Sequence, residues 1–190
     1  MDNDELQRAV ADSVALKRRF FAERGPFLLE LGEQIAKALL AGGRLLAFGN
    51  GGSASDAQHF VAELVGRLAK NRRALSAIAL TTDPSVVTAI GNDLGFDAVF
   101  ARQVEAHGRP GDVVLAISTS GRSPNVLAAV RAARSLGLRT IALTGNGGGP
   151  LAGLVDALVD VPHADTQRIQ EVHIMVLHVL AQAVEEAALS

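Results

Sequence analysis

A run of hydroxyl side chains gives the first indication of chemistry in this 190-residue chain. Ser118, Thr119, Ser120 and Ser123 lie within six residues, and Pro124 follows at a position that suits the first turn of a helix. One hydroxyl would be enough to cap that helix, so four exceed the structural requirement. Hydroxyl and backbone N–H groups that converge at a helix start form a cradle for phosphate. The run therefore predicts a phosphate-binding loop.

A second candidate loop, Gly49-Asn50-Gly51-Gly52-Ser53, precedes another predicted helix. Its glycines would let backbone N–H groups approach an anion closely, at the positive end of that helix. The spacing matches neither the dinucleotide fingerprint G-x-G-x-x-G nor a phosphate-binding loop that ends in Gly-Lys-Ser. Two interpretations stay open from the residues alone: a tight turn in which Ser53 caps the helix, or a loop that contacts a substrate.

Histidine and glutamate side chains on two predicted helices could bind a metal ion or transfer protons. His59 and Glu63 are four residues apart, so they share one face of a helix and suit two ligands of a divalent metal or an acid–base pair. A surface pair without a ligand is the alternative interpretation. The last predicted helix carries Gln170, His173 and His178. His178 lies in an apolar stretch, which is typical of a hydrogen-bonded core histidine.

Five short, nearly continuous apolar runs alternate with helical segments from residue 44 onward. Such runs are typical of strands that are buried on both faces, so we predict an α/β fold, a three-layer sandwich around a five-stranded parallel sheet. Ligands of such sheets bind beyond the carboxyl ends of the strands, where loops 49–53 and 118–123 would lie. The predicted strands are Leu45–Phe48, Ala77–Leu80, Val113–Ile117, Thr140–Leu143 and Ala157–Val161, and the predicted helices are 54–66, 84–106 in two pieces, 124–136, 150–154 and 166–188.

Residues 2–41 precede the sheet and show two helical patterns, which are separated by Gly25-Pro26. We predict an N-terminal helix pair, with Pro26 in the first turn of the second helix. Its apolar stripe needs a surface to cover it, and a partner subunit would provide one. The length of the chain suits one domain over residues 1–190, with no linker or internal repeat that would divide it.

Composition and charge exclude several other classes. The formal net charge is −2 and no broad basic patch is present, so nucleic acid is not an expected partner. The chain contains no cysteine, which excludes disulfides and thiolate metal sites. It also lacks the apolar segment of a signal peptide and any run of roughly 18–20 apolar residues that could cross a bilayer. We therefore expect a cytoplasmic protein with no membrane partner.

Three segments resemble the phosphoheptose isomerases of the sugar-isomerase (SIS) domain superfamily. They are FGNGGSASDAQHFVAELVGR, AISTSGRSPNVLAAVRAARSLGL and RIQEVHIMVLHVL. The S-T-S-G loop marks the superfamily, whereas H-x-x-x-E together with R-I-Q-E-x-H…H is more specific. The resemblance, which runs from residue 2 to 188, implies flavodoxin-like strand order and a homotetramer with active sites at subunit interfaces. It also implies conversion of D-sedoheptulose 7-phosphate to D-glycero-D-manno-heptose 7-phosphate through an enediol, with one Zn²⁺ per active site.

The same resemblance assigns roles to residues of this chain. Glu63 and His178 match the catalytic pair. One departure is Gln167, which stands where some relatives have Asp; the neighbouring Thr166 would supply a polar contact instead. The matching metal ligands are His59, Glu63, Gln170 and His178, and the matching substrate-binding residues are Asn50, Gly51, Gly52, Ser53, Glu63, Asn92, Asp93, Ser118, Thr119, Ser120, Ser123 and Gln170.

Moving a carbonyl from carbon 2 to carbon 1 requires a proton taken from carbon and a proton relayed between two oxygens. Our hypothesis is that Glu63 is the base and His178 relays the oxygen protons, while zinc polarises the carbonyl. Gln170 and His178 are eight residues apart, about 12 Å along a straight helix, whereas metal–ligand bonds are about 2 Å long. We therefore predict that these two side chains reach one metal from different subunits.

Two non-catalytic alternatives share the superfamily. A replication-initiator-associating protein has a segment similar to Asp56-Ala57-Gln58-His59-Phe60, but it lacks the acid and the histidine that match Glu63 and His178. An SIS regulatory module that senses a sugar phosphate usually carries a DNA-binding domain, for which 190 residues leave no room. Residues 2–41 also lack the basic character of such a domain. These differences favour the isomerase.

Overall fold

The computed structural model describes residues 2–189, and its centre is a five-stranded, all-parallel sheet. The strands are β1 (Leu45–Gly49), β2 (Ala77–Ala79), β3 (Val113–Ile117), β4 (Arg139–Gly145) and β5 (Ala157–Val161). Their order is β2-β1-β3-β4-β5, which is the flavodoxin-like order. The order reverses between β1 and β3, so the loops that follow these two strands lie side by side. The prediction of a five-stranded parallel sheet is confirmed.

Helices cover both faces of the sheet, as predicted for three layers. Side chains alternate along each strand, so Leu45 and Ala47 belong to one half of the core whereas Leu46 and Phe48 belong to the other. Within residues 2–189, no helix is long and apolar enough to cross a membrane. The first helical layer contains α1 (Asn3–Leu40), α2 (Gly52–Val65) and α6 (Thr166–Ala187), the second contains α3 (Pro84–Leu94), α4 (Val99–His107) and α5 (Pro124–Ser135), and short 3₁₀ turns span Phe96–Ala98 and Gly149–Leu154.

The N-terminal segment differs from its prediction, because one continuous helix, α1, replaces the predicted helix pair. Pro26 lies inside it, although a proline removes one backbone hydrogen bond and normally clashes with the preceding turn. Gly25 relieves part of that cost because it has no Cβ to meet the proline ring. Packing supplies the rest, since Phe20 before the proline and Leu28 and Leu31 after it are buried in the same core cluster.

The N-terminal half of α1 leaves apolar side chains uncovered. Its 38 residues extend for about 57 Å at 1.5 Å per residue, far beyond the length of any strand in this sheet. Leu16 and Phe20 are buried in the core, but Leu6, Val10 and Val14 are exposed. The latter three are spaced by four residues, so they form one apolar row along the helix, which we name the α1 row.

Close contact between α1 and α6 fixes the first helical layer. Gly32 of α1 is buried, and a Cβ built on it would lie 2.5 Å from the Cβ of Ala183 on α6. Carbon atoms at their best packing distance are about 3.5–4.0 Å apart, so no side chain fits there without a shift of the helices. The absence of a side chain at Gly32 therefore sets how closely α1 and α6 approach.

We predict that Gly32→Ala destabilises the protein, against the usual trend. In most helices, alanine is more favourable than glycine by about 1 kcal/mol. Here the added methyl group forces α1 away from α6, and we expect the free energy of unfolding to fall by about 1–3 kcal/mol. Gly91→Ala in α3 is the matched control, because a Cβ there meets nothing closer than 3.9 Å. Urea unfolding checks both variants, and equal effects would contradict the packing argument.

Candidate active site

Two loops at the carboxyl edge of the sheet are joined by a pair of amide hydrogen bonds. β1 ends at Gly49 and β3 ends at Ile117, and these two residues are partners in the sheet. The side chains of Asn50 and Asn125 each donate to the other, with both N···O distances at 2.9 Å. Asn125, at the start of α5, is almost fully buried. These bonds hold the glycine loop that follows β1 beside the hydroxyl loop that follows β3.

The hydroxyl loop presents side chains that helix capping does not use. Ser123 is the N-cap residue of α5, but its side chain makes no capping hydrogen bond. Its Oγ lies 3.2 Å from the Oγ of Ser118, and the Oγ of Ser120 accepts a hydrogen bond from the backbone N–H of Arg122. Thr119 is partly exposed at the same edge. The arrangement supports the prediction of a phosphate site, because hydroxyls converge with a helix N-terminus.

The loop after β4 braces the hydroxyl loop. A Cβ on Gly121 would overlap the carbonyl oxygen of Gly148, so the two backbones touch. Gly121 also has a φ of +61°, which glycine adopts far more readily than other residues. The carboxylate of Asp160 ties the bracing loop to the end of β4, because it accepts hydrogen bonds from the Gly147 N–H of the loop at 3.0 Å and from the Thr144 hydroxyl of the strand at 3.1 Å. The hydroxyl loop is therefore held in position by its backbone contact with Gly148 of the bracing loop, which Asp160 in turn fixes.

The glycine loop leads directly into α2. This helix begins at Gly52 with Gly51 as its N-cap, so the interpretation of Ser53 as the cap is wrong; Ser53 is buried in the first turn. A Cβ on Gly52 would lie 2.6 Å from the side-chain Nε2 of Gln170 on α6. Gln170 is therefore placed beside the N-terminus of α2, the end of a helix that favours anions.

Farther along the same two helices, His59, Glu63 and His178 come together. The Nε2 atoms of His59 and His178 are 3.0 Å apart, and the Nε2 of His59 lies 3.4 Å from Oε1 of Glu63. The His59 side chain is 46% exposed and that of Glu63 is 19% exposed, while His178 is exposed as well. The group of three therefore combines nitrogen and carboxylate donors with access for a small molecule.

The interpretation of His178 as a core residue is wrong, and His173 has that role instead. His173 is fully buried, and its Nε2 lies 2.9 Å from the carbonyl oxygen of Thr144, to which we assign it as a donor. Burial lowers its pKa to about 4, although the Thr144 carbonyl and Asp160 act in the opposite direction. The ring is therefore neutral near pH 7, and it anchors α6 to the end of β4.

The two imidazole nitrogens of His59 and His178 suit a zinc ion in type and spacing. Two nitrogens bound to tetrahedral zinc at about 2.0–2.1 Å lie roughly 3.3 Å apart, close to the 3.0 Å between His59 and His178. Glu63 adds a carboxylate to the pair. Within residues 2–189, however, no three His, Cys, Asp or Glu side chains are arranged to hold an ion. Gln170, the fourth predicted ligand, lies beside Gly52, seven residues before His59 on α2.

Asp56 is a further titratable group on α2. Burial raises its pKa to about 6, and the nearby His59 lowers it only in part. Its Oδ2 is buried and has no hydrogen-bond partner among the described residues. This carboxyl group therefore changes charge close to neutral pH, one helical turn from His59.

Asn92 and Asp93 do not join this group of side chains in the described part of the chain. Both are exposed on α3, where the Asn92 amide donates to the Asp93 carboxylate at 2.7 Å. A cavity of about 180 Å³ separates the glycine loop from Phe96, and neither residue lines it. Gln167 and Thr166 are exposed as well, at the start of α6.

A buried ion pair holds the end of α2 that carries Glu63. Glu185 of α6 accepts hydrogen bonds from three consecutive backbone N–H groups, those of residues 68–70. The guanidinium of Arg72 lies 3.6 Å from the same carboxylate and donates to the carbonyl oxygens of Glu63 at 2.6 Å and Leu64 at 2.9 Å. Burial raises the pKa of Glu185, but the three N–H groups and Arg72 outweigh it and hold that pKa below its usual value.

The strand order and the hydroxyl loop at the carboxyl edge of the sheet define a sugar-isomerase domain. Residues 10–145 match the family model described as SIS domain. The matched segment ends before α6, which carries Gln170 and His178. The more specific assignment therefore depends on relatives that align over the whole chain.

Relatives that align over nearly the whole chain are phosphoheptose isomerases. One from Roseiflexus sp. (strain RS-1) is 51% identical over 187 residues, which cover 96% of this chain and 95% of the relative. Another, from Geotalea daltonii, is 55% identical over 183 residues, with 96% and 95% covered. The solved phosphoheptose isomerase of Neisseria gonorrhoeae is 44% identical, with a TM-score of 0.91 and coverage of 96% of this chain and 98% of its own. The chain therefore belongs to the phosphoheptose isomerase family.

We predict that Glu185→Gln weakens both folding and turnover. The amide leaves Arg72 buried without its carboxylate and turns an NH₂ group toward backbone N–H donors. Breaking a buried ion pair in this way costs about 3–5 kcal/mol, and the freed Arg72 no longer positions the end of α2. The control is Glu105→Gln, because the exposed pair of Glu105 with Arg102 contributes less than about 1 kcal/mol. The same Tm for both variants would show that the buried pair does not stabilise the fold.

Proposed function

We propose that this chain is an aldose–ketose isomerase of heptose biosynthesis that converts D-sedoheptulose 7-phosphate to D-glycero-D-manno-heptose 7-phosphate. The observation that carries the proposal is the contact of His59 with both Glu63 and His178 on helices that adjoin the glycine loop. Family membership supports the same reaction, since whole-chain relatives are phosphoheptose isomerases. We place this activity in the cytoplasm, because a charged phosphate ester does not cross a bilayer unaided.

The proposed reaction needs a base at carbon and a proton carrier between two oxygens, with an enediol between ketose and aldose. We assign the base to Glu63, whose carboxylate is mostly buried and lies one helical turn from His59. The relay is His178, whose Nε2 faces the same imidazole. The hydroxyl loop and the N-terminus of α5 bind the phosphate group, and the Asn50–Asn125 pair keeps the glycine loop beside it.

We further propose that Zn²⁺ is bound by His59, Glu63 and His178, with Gln170 as the fourth ligand. The first three side chains suit this ion in chemical type, because imidazole nitrogens and carboxylate oxygens are its ordinary ligands, and the ion would draw them together. When it is bound, zinc supplies Lewis-acid polarisation of the substrate carbonyl. A carboxylate offers two oxygens, so Glu63 can contact the ion with one oxygen and accept a proton with the other.

We predict that Glu63→Gln folds normally and loses nearly all turnover of sedoheptulose 7-phosphate. The amide keeps the shape of the side chain, but it cannot accept a proton from carbon. General acid–base catalysis contributes about 10²–10⁴-fold, so kcat should fall by at least about 10²-fold with a smaller change in KM. Glu105→Gln on α4 is the matched control and should keep full turnover.

The assay detects the aldose 7-phosphate, with and without a chelator, and again after Zn²⁺ is restored. Loss with the chelator and recovery with zinc would support the metal proposal, whereas unchanged turnover after metal removal would refute it without affecting the isomerase assignment. Normal turnover of the Glu63→Gln variant would eliminate Glu63 as the base. No aldose from the unmodified chain would favour a non-catalytic SIS protein, which binds a replication initiator or senses a sugar phosphate.

We also propose that the protein assembles as a homotetramer with active sites at subunit interfaces. The α1 row supports assembly, because an exposed apolar row on so long a helix favours burial against another subunit. The positions of two predicted ligands support a shared site. Within one chain, Gln170 contacts Gly52 and His178 contacts His59, which are about 10 Å apart along α2. One ion with bonds of about 2 Å would not reach both side chains.

We predict that two inactive variants, Gln170→Ala and His178→Ala, recover activity when they are dissociated, mixed and reassembled. If each site takes Gln170 from one subunit and His178 from another, random mixing gives each contributing subunit a chance of one half of carrying the intact side chain. Roughly a quarter of the sites would then be complete. Each variant alone should stay inactive at the same concentration. Absence of recovery in assemblies that native mass spectrometry shows to be mixed would refute the shared site, and a monomeric protein in solution would refute assembly.

A further inference from the structure

A cleft of about 730 Å³ opens at the amino edge of the sheet, opposite the active site. It lies between the end of α1, the segments that enter β1 and β3, and the start of β4. Its volume falls within the range of about 300–1,000 Å³ that is typical of small-molecule sites. None of the predicted active-site residues lines it.

The cleft concentrates positive charge. Lys37, Arg44, Arg109 and Arg139 line it, together with a single acidic residue, Asp112. The two oxygens of Asp112 already accept hydrogen bonds from the backbone N–H groups of Arg44 at 2.8 Å and Arg109 at 2.9 Å. None of the four cationic side chains forms an ion pair with another residue in 2–189. Because the whole chain carries a net charge of −2, this concentration is local rather than a consequence of composition.

Two of the cationic side chains in the cleft, Arg109 and Arg139, are held in place by hydrogen bonds within the protein. The Arg109 guanidinium donates to the carbonyl oxygens of Ala106 at 3.1 Å and Gly108 at 2.7 Å, and that of Arg139 donates to the side chain of Gln34. A helix C-terminus attracts a cation, which accounts for Lys37 but not for the arginines that other segments contribute. Guanidinium groups that are already ordered bind phosphate oxygens with a smaller loss of side-chain entropy.

The cleft is too far from the catalytic edge to belong to the same substrate site. β1 and β3 each begin beside the cleft and end at the glycine and hydroxyl loops, after five residues. At about 3.3 Å per residue, the two edges are about 16 Å apart across a fully buried sheet. A single sugar phosphate therefore does not contact both.

We propose that this cleft is a second anion site, which binds a small molecule carrying two or more phosphate groups. Four cations exceed what one phosphate group needs, and the volume accommodates a larger ligand than inorganic phosphate. The planar guanidinium groups of Arg109 and Arg139 suit bidentate contacts with phosphate oxygens. Binding at this edge is independent of the proposed isomerase reaction.

Isothermal titration calorimetry with inorganic pyrophosphate at low salt tests the proposal, since the chain has no Trp or Tyr for intrinsic fluorescence. The double variant Lys37→Gln/Arg139→Gln should bind at least about tenfold more weakly than the unmodified protein, and Arg109→Gln should also bind more weakly. Arg131→Gln, an exposed arginine on α5 outside the cleft, is the matched control and should bind normally. Circular dichroism and turnover at saturating substrate should be unchanged in all these variants.

The active site also has a predicted phosphate loop, so Ser120→Ala is titrated in parallel. Binding that persists in Ser120→Ala and weakens in the cleft variants, and that falls with added salt, supports the second site. ADP replaces pyrophosphate in a further titration, and tighter binding of ADP would show that the site accepts a nucleotide. Equal affinities in the cleft variants and the unmodified protein, or binding lost only in Ser120→Ala, would overturn the proposal.

Discussion

The packing of α2 against α6 is the constraint on which the candidate active site depends. The two helices run side by side in the same direction, so Gly52 meets Gln170 and, farther along, His59 meets His178. A side chain at Gly52 would displace the Gln170 amide from its place beside the N-terminus of α2. The glycine loop positions α2, whereas α6 follows the last strand and lies outside the segment that matches the SIS domain. The common fold therefore supplies the loops, and the placement of α6 adds the second histidine.

Buried polar side chains keep the loops of this site in place. Glu185 binds the segment after α2, and the buried ring of His173 binds the end of β4, from which the bracing loop starts. Asn125 binds the glycine loop in the same way. Each of these groups joins elements that are distant in sequence, and the loss of a partner would leave a buried polar atom unsatisfied. Loops made of small residues have little side-chain surface to bury, so hydrogen bonds from the core determine their positions.

Much of the fold could be predicted because its signals are local. Five apolar runs mark the strands, and Pro124 with its preceding hydroxyls marks a loop and the start of a helix. The continuity of α1 could not be predicted, because the local break at Gly25-Pro26 is outweighed by packing against elements far along the chain. The partner of Asn125 lies 75 residues away, which no local pattern indicates.

The two histidines of α6 show why a candidate site is harder to predict than a strand. His173 and His178 lie in the same apolar stretch. Which of them is buried depends on which face of α6 packs against the sheet, and the sequence alone does not give that face. The burial of His173 leaves His178 exposed on a different face, beside His59. Their chemistry differs accordingly, since burial holds the His173 ring neutral with a pKa of about 4, while His178 stays open to ligands.

Exposure of His59 and His178 at the candidate active site also bears on the proposed assembly. Abstraction of a proton from carbon benefits from a site that excludes water, because fixed dipoles then act without solvent screening. One chain leaves His59 and His178 exposed, and it leaves the α1 row exposed in the same helical layer. A second subunit that buries the row would, in the proposed assembly, also cover these two histidines and bring a Gln170 side chain to them. Under the proposed function, apolar burial on α1 would therefore couple assembly of the protein to completion of its active site.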